Sequence, residues 1–166
     1  MKENVMIPKD RIGVIKSKKT KEELESSLNV KLDFLENSVE IDGEGIELFK
    51  AKTIAKAVAR GFSPLHAFEL MKDDYALEVM ELGNFSENKI GRIKSRTIGA
   101  NGKTRAYIEN STKCFVSVYG KTISIIGLYD DIKNAKKAIE MIINGVEHAS
   151  VYKFLDKIRA EVKKPF

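Results

Sequence analysis

The sequence predicts an α+β protein: two tandem copies of one β-α-α-β-β-α unit, with an additional helix after each copy. Three observations carry this. The chain matches itself at a shift of 84 residues: Val30–Phe34 falls on Cys114–Val118, Val39 and Ile41 on Ile123 and Ile125, and Gly43 on Gly127. Leu48, Ala51, Ala55 and Val58 likewise fall on Ile132, Ala135, Ile139 and Ile142, Gly61-Phe62 on Gly145-Val146, and Phe68 on Tyr152. Secondly, short runs alternating apolar and polar residues, the mark of half-buried strands, pair up ahead of a segment whose apolar residues recur at helical spacing. Thirdly, one register holds over about 40 residues, as a duplicated supersecondary unit requires. The boundaries fall at residues 1–72 and 73–166, each near the lower size limit for independent folding.

In the first copy, Val5-Met6-Ile7 predicts a strand that Pro8 ends, because proline has no N–H to give to a ladder. Thr20-x-x-Glu23 has the form of a capping box opening a helix that carries Leu24 and Leu28. Lys31–Leu35 and Ser38–Asp42 flank Glu36-Asn37 and predict a hairpin. Leu48, Ala51, Ala55 and Val58 line the buried face of the next helix, which Gly61 terminates. Pro64 opens a further short helix reaching Met71.

In the second copy, Ala76–Leu82 predicts a strand closed by Gly83-Asn84. Asn88–Ile98 predicts a helix with Ile90 and Ile93 inward, and Lys103–Asn110 a second, shorter one. Cys114–Val118 and Thr122–Ile126 form a hairpin around Tyr119-Gly120-Lys121. Asp130 and Asp131 suit the positive end of the following helix, whose apolar stripe runs from Ile132 to Ile142 and which Gly145 ends. A last amphipathic helix spans about Ala149 to Val162, with Lys163–Phe166 as a loose tail.

Charge sharpens the functional reading. The net charge is +5 with a pI near 9.1, which favours an anionic partner such as nucleic acid. Residues 1–72 carry 13 basic and 12 acidic side chains, whereas residues 73–166 carry 16 and 12. Six cations, Lys89, Arg92, Lys94, Arg96, Lys103 and Arg105, follow one another without an intervening acid. In their midst lies Gly99-Ala100-Asn101-Gly102, between the two predicted helices. Glycine permits positive φ and close backbone approach, so a cation-ringed G-x-x-G corner is a place for a sugar-phosphate chain to rest.

Other features point away from chemistry. The single cysteine, Cys114, fits a small core residue, leaves no disulfide framework or Cys-based metal site, and agrees with a reducing cytoplasm. No signal peptide or membrane-spanning run is expected. His66 and His148 have no carboxylate or thiol near them in sequence and read as surface or capping residues. Asp73-Asp74 and Asp130-Asp131 are too few for an oxygen-rich cation site. Gly43-Glu44-Gly45 lacks the Lys-Ser/Thr ending of a phosphate loop. No catalytic residue, metal or cofactor is therefore expected. Tyr119 either stacks on a base or simply ends its strand.

The order strand, helix, G-x-x-G, helix, strand, strand, helix resembles the type I KH domain, a fold that binds single-stranded nucleic acid. Arg96-Thr97-Ile98-Gly99-Ala100-Asn101-Gly102-Lys103-Thr104-Arg105, then Ile108-Glu109-Asn110, Val118-Tyr119-Gly120-Lys121-Thr122 and Ile126-Gly127, is similar to the KH-type small-subunit ribosome assembly factors. These are the archaeal relatives of the eukaryotic Partner of NOB One protein. The resemblance is specific in the second copy and loose in the first. It implies a non-enzymatic factor bound near the 3′ end of small-subunit ribosomal RNA, contacting the endonuclease that trims that end and the alpha subunit of initiation factor two. In the first copy the corresponding corner, Ile15-Lys16-Ser17-Lys18-Lys19, has no G-x-x-G and is one residue short, so it is expected not to hold RNA in the usual groove.

In the second copy, RNA is expected to cross Gly99, Ala100, Asn101 and Gly102. The helix from Lys103, with Thr104 and Arg105 in its first turn, is expected to offer N–H groups and charge. Arg92 and Arg96 are expected on the other rim, and Ile93, Ile98, Ile108 and Val116 as the apolar floor, with bases read by the strand Cys114–Val118. A small RNA-cleaving enzyme, or a translation scaffold without RNA affinity, are the competing classes. No set of His, Asp, Glu and Lys converges by spacing to support the first.

Overall fold

Glu3 and Val5 point to the covered side of the first strand, β1 (Lys2–Met6), and Val5 is buried. The strand thus begins earlier than the apolar run Val5–Ile7 indicates, because alternation, not a run of apolar residues, is what a half-covered strand needs. After Pro8 come α1 (Ile12–Lys16) and α2 (Lys18–Leu28), joined by Ser17 alone. The expected capping box does not form. The helix starts at Lys18, ahead of Thr20, whose hydroxyl is buried and accepts from Ser17 Oγ at 2.9 Å. The hairpin strands are β2 (Lys31–Phe34) and β3 (Ser38–Asp42), followed by α3 (Gly45–Ala59). The short helix expected over Pro64–Met71 is split into α4 (Pro64–Ala67) and a 3-10 turn, Phe68–Met71. Ser63 caps α4 by accepting from His66 N–H at 3.3 Å. All pairing is antiparallel, in the order β1-β3-β2.

The computed structural model describes residues 1–163, so the expected loose tail, apart from Lys163, lies outside the described residues. The described residues divide into two units, with the break between Asp73 and Asp74. The second contains β4 (Tyr75–Glu81), α5 (Glu87–Ile98), a 3-10 turn at Ala100–Gly102 and α6 (Lys103–Thr112). The hairpin β5 (Phe115–Tyr119) and β6 (Thr122–Leu128), α7 (Tyr129–Ile143) and α8 (His148–Lys163) complete it. Its strand order is β4-β6-β5, again antiparallel throughout. Its core joins Ile90 and Ile93 of α5, Ile108 of α6, Val116, Ile123 and Ile125 of the sheet, the inner face of α7, and Val151 and Leu155 of α8. No helix among the described residues is long and apolar enough to cross a membrane.

The same physical devices recur in both units. A carboxylate on the second helix accepts a strand-edge N–H: Glu25 from Leu32 at 2.9 Å, Glu109 from Val116 at 2.8 Å. A lysine on the helix after the hairpin reaches a glutamate on the first strand: Lys52–Glu3 at 3.2 Å, Lys136–Glu78 at 2.8 Å. A glycine leaves room for the residue that opens the hairpin. A Cβ on Gly43 would stand 2.7 Å from Val30 Cγ1, and one on Gly127 2.6 Å from Cys114 Sγ. Cys114 therefore occupies the place of a valine, and burial pushes its thiol up to about 11, so that it stays protonated.

Finally, an arginine clamps the end of the helix that follows the hairpin. Arg11 donates to Val58 C=O and Phe62 C=O at 3.0 and 2.7 Å; Arg96 donates to Ile142 C=O at 3.0 Å and to Val146 C=O. Every other pair is consistent with the 84-residue shift or lies ahead of the arginines; the arginines themselves are 85 apart. Contrary to the expectation that the first corner is one residue short, the first unit is thus one residue longer than the second between its arginine and the buried threonine of its second helix, Thr20 or Thr104, the interval that holds the G-x-x-G in the second unit.

Candidate nucleic-acid interface

The site is built where α5 stops and α6 starts. Ser86 caps α5, accepting from Lys89 N–H at 3.2 Å, a favoured N-cap residue in its usual role. Ile90, Ile93 and Thr97 turn into the core, which leaves Lys89 and Arg92 exposed on the opposite side. Gly99 ends the helix with φ 74° and ψ 177°, its N–H bonded to Ser95 C=O at 2.8 Å. Asn101 (φ 55°) and Gly102 (φ 74°) also lie in the left-handed region. Gly and Asn are the residues that reach it at least cost, so both glycines and the asparagine are demanded by the backbone path.

The two glycines do different work. A Cβ on Gly99 would stand 2.2 Å from Thr104 Oγ1 and 2.9 Å from Thr104 N, inside the protein's own packing. The reason for its smallness is internal and not, as the sequence reading had it, a ligand strand overhead. Around a Cβ on Gly102 there is nothing within 4 Å. Gly102 faces open space, between the exposed side chains of Ala100, Asn101, Lys103 and Arg105.

Gly102 is also the N-cap of α6 and gives it no side-chain cap. Two loop donors are used internally: Gly102 N–H bonds Gly99 C=O at 3.2 Å, and Lys103 N–H bonds Ala100 C=O. The first turn of α6, with the positive end of its helix dipole, begins at this loop. Among the described residues, neither Lys103 nor Arg105 has an ion-pair partner.

Three expectations need correction. Arg96 does not present its guanidinium to a ligand at the loop: two of its nitrogens are spent on the carbonyls that end α7. Those carbonyls carry the negative end of a helix dipole, where a cation is stabilising. Ile93, Ile108 and Val116 are 3%, 0% and 4% exposed and belong to the core. They support the floor from beneath, and of the four residues expected there only Ile98 is partly exposed. On the edge strand β5, the Val116 N–H is occupied by Glu109, so it is closed to a base. Arg92 remains exposed and, with Lys89, which the sequence reading left out of the site, lines a cavity of about 190 Å³ beside Arg96 and the end of α7. Their i, i+3 spacing was the available signal.

Replacing Arg96 by Ala is therefore expected to lower stability by about 2 kcal/mol, since it removes two charge-assisted hydrogen bonds to carbonyls. Chemical denaturation checks this. The salt dependence of RNA binding should not change.

A mixed α+β unit with a G-x-x-G corner between its first two helices and a β4-β6-β5 sheet defines a type I KH domain. Residues 76–160 match the model of the second KH domain of the Partner of NOB One proteins, described as a eukaryotic-type, type I KH domain. The chain is 41% identical to the KH domain-containing protein MJ0443 of Methanocaldococcus jannaschii, over 98% of this chain and 76% of that protein. It is also similar to the crystal structure of Dim2p from Pyrococcus horikoshii (TM-score 0.88, 38% identity, 95% of this chain and 99% of that one). A second structure from that organism, a complex of initiation factor two alpha, Dim2p and ribosomal RNA, matches with a TM-score of 0.90 and 38% identity over 97% of this chain and 95% of that one. The chain belongs to the Partner of NOB One (Dim2) family of KH proteins.

Proposed function

We propose that the protein is a non-enzymatic ribosome assembly factor built of two tandem KH domains, 1–72 and 73–166, of which the second grips single-stranded ribosomal RNA. The observation that carries this is the outward-facing Gly102 at an uncapped helix N-terminus, flanked by exposed Lys103 and Arg105. The phosphates pass over Gly102 and meet the first turn of α6; Arg92 and Lys89 extend the positive rim along α5. The binding residues are then Arg92, Ile98, the segment from Gly99 to Lys103 and Arg105, with Thr104, Ile93, Ile108 and Val116 as the buried supporting layer. The first domain, where Ser17 alone replaces the four-residue loop, takes no RNA in this groove.

The RNA is the 3′ region of small-subunit ribosomal RNA, and the protein partners are the trimming endonuclease and the alpha subunit of initiation factor two. The complex formed by the Pyrococcus Dim2p supports the rRNA and initiation-factor parts of this reading; family resemblance alone supports the endonuclease. Among the described residues no group of His, Cys, Asp and Glu is placed to hold a metal ion. The protein works in the cytoplasm, where ribosomes assemble in cells without a nucleus.

Titration of the full chain with short single-stranded RNA at several salt concentrations tests the reading. Each phosphate neutralised contributes about 0.7 to the slope of log affinity against log salt. Arg105→Ala is expected to weaken binding to all sequences and to lower that slope by about one contact's worth. Salt-independent or absent binding would leave the scaffold class in its place.

A further inference from the structure

We infer that α8 sets the conformation of the G-x-x-G loop, with Thr104 and Tyr152 as positioning residues. The inference rests on the RNA-binding reading of that loop. Its starting point is the Thr104 hydroxyl, which lies directly under Gly99. Thr104 is buried, and its Oγ1 shares a hydrogen bond of 3.1 Å with Tyr152 Oη of α8. The Tyr152 ring meets Tyr107 of α6 edge to face, centroids 4.5 Å apart, and Tyr107 Oη donates to Asp156 of α8. On the other side of the loop, His148 Nε2 donates to Arg96 C=O in the last turn of α5 at 3.0 Å. Both helices that flank the loop are therefore tied to the same third helix.

The first unit provides the internal control. At the shift of 84 residues, Thr20 stands for Thr104, but Glu23, Pro64 and Phe68 stand for Tyr107, His148 and Tyr152. Phe68 has no hydroxyl to give. Thr20 is engaged by Ser17 instead, and a cavity of about 390 Å³ lined by Ser17, Thr20, Glu23, Pro64 and Phe68, among others, lies where the second unit packs two tyrosine rings. The copy without the loop also lacks the brace.

The loop needs one. Three of its four residues, one of them a non-glycine, have positive φ, and such paths persist only where surrounding structure holds them. If the brace is cut, the loop samples other paths, and apparent affinity falls by the fraction of molecules still competent.

The test uses the full chain and a labelled short random-sequence single-stranded RNA. Tyr152→Phe and Thr104→Val should each lower affinity about three- to ten-fold, the effect of one ordinary hydrogen bond. The double variant should lose no more than the larger single loss, and Thr104→Ser should retain affinity. Amide exchange over residues 99–103 should rise while exchange in β4 and β6 and the thermal midpoint change little; a merely structural loss would move all of them. Unchanged affinity in Tyr152→Phe, or additive losses in the double variant, overturns the brace. If Gly102→Asp abolishes binding in the same assay, the RNA reading survives that failure. If Gly102→Asp binds as well as the parent, the RNA reading falls and takes the brace with it.

Discussion

Gly102→Asp is expected to leave the protein folded and to abolish its RNA binding. The position has space for a side chain, since nothing lies within 4 Å of a Cβ there. Its φ of 74° and ψ of 12° are left-handed, a conformation that Asp, with its short hydrogen-bonding side chain, tolerates better than most residues. The folding cost is therefore about 1 kcal/mol. Binding suffers in two ways. The carboxylate stands on the phosphate path, where like charges brought together cost several kcal/mol, and it partly neutralises the helix N-terminus that the phosphate would use. A loss of about 100-fold or more at moderate salt is expected. Fluorescence anisotropy measures it, and circular dichroism checks the fold. A folded variant with undiminished affinity would remove the loop from the interface.

Gly99→Ala fails in the opposite order: stability first, binding only as a consequence. The added methyl would stand 2.2 Å from Thr104 Oγ1, 2.7 Å from its Cβ and 2.9 Å from its backbone nitrogen, at a φ of 74°. The hydroxyl and the α6 backbone cannot both retreat, because Thr104 is packed in the interior and tied to Tyr152. Overpacking and left-handed strain together make a loss of about 3 kcal/mol or more the expected result. Urea denaturation followed by near-ultraviolet circular dichroism reads it. Equal stability of Gly99→Ala and the parent would show that the corner is looser than its geometry.

The contrast between these two glycines shows where sequence reasoning reached and where it stopped. The spacing G-x-x-G was legible, because only glycine and asparagine serve this backbone path. Which glycine answers to the ligand and which to Thr104 was not, since that depends on a neighbour's position in space. The strands and helices were legible through periodicity, although β1 began earlier than its apolar run and the Thr20-Glu23 capping box gave way to a hydrogen bond between two hydroxyls. Arg96 was misplaced for a physical reason: a cation in a basic run looks the same in sequence whether it faces solvent or stops a helix 46 residues away. Its counterpart Arg11 was the hint, and it was hidden by the one-residue change of register. The same limit put Ile93, Ile108 and Val116 on the floor, because helical spacing identifies an apolar face without saying what lies on it.

That change of register has an evolutionary consequence. In both copies the arginine clamp, the glutamate on the strand edge and the lysine–glutamate pair all attach outside the interval between arginine and second helix. A one-residue change of length inside it touches none of them. One half can thus differ from the other by one codon at this corner, and lack the loop, while its scaffold stays intact, leaving that half open to selection for some other duty.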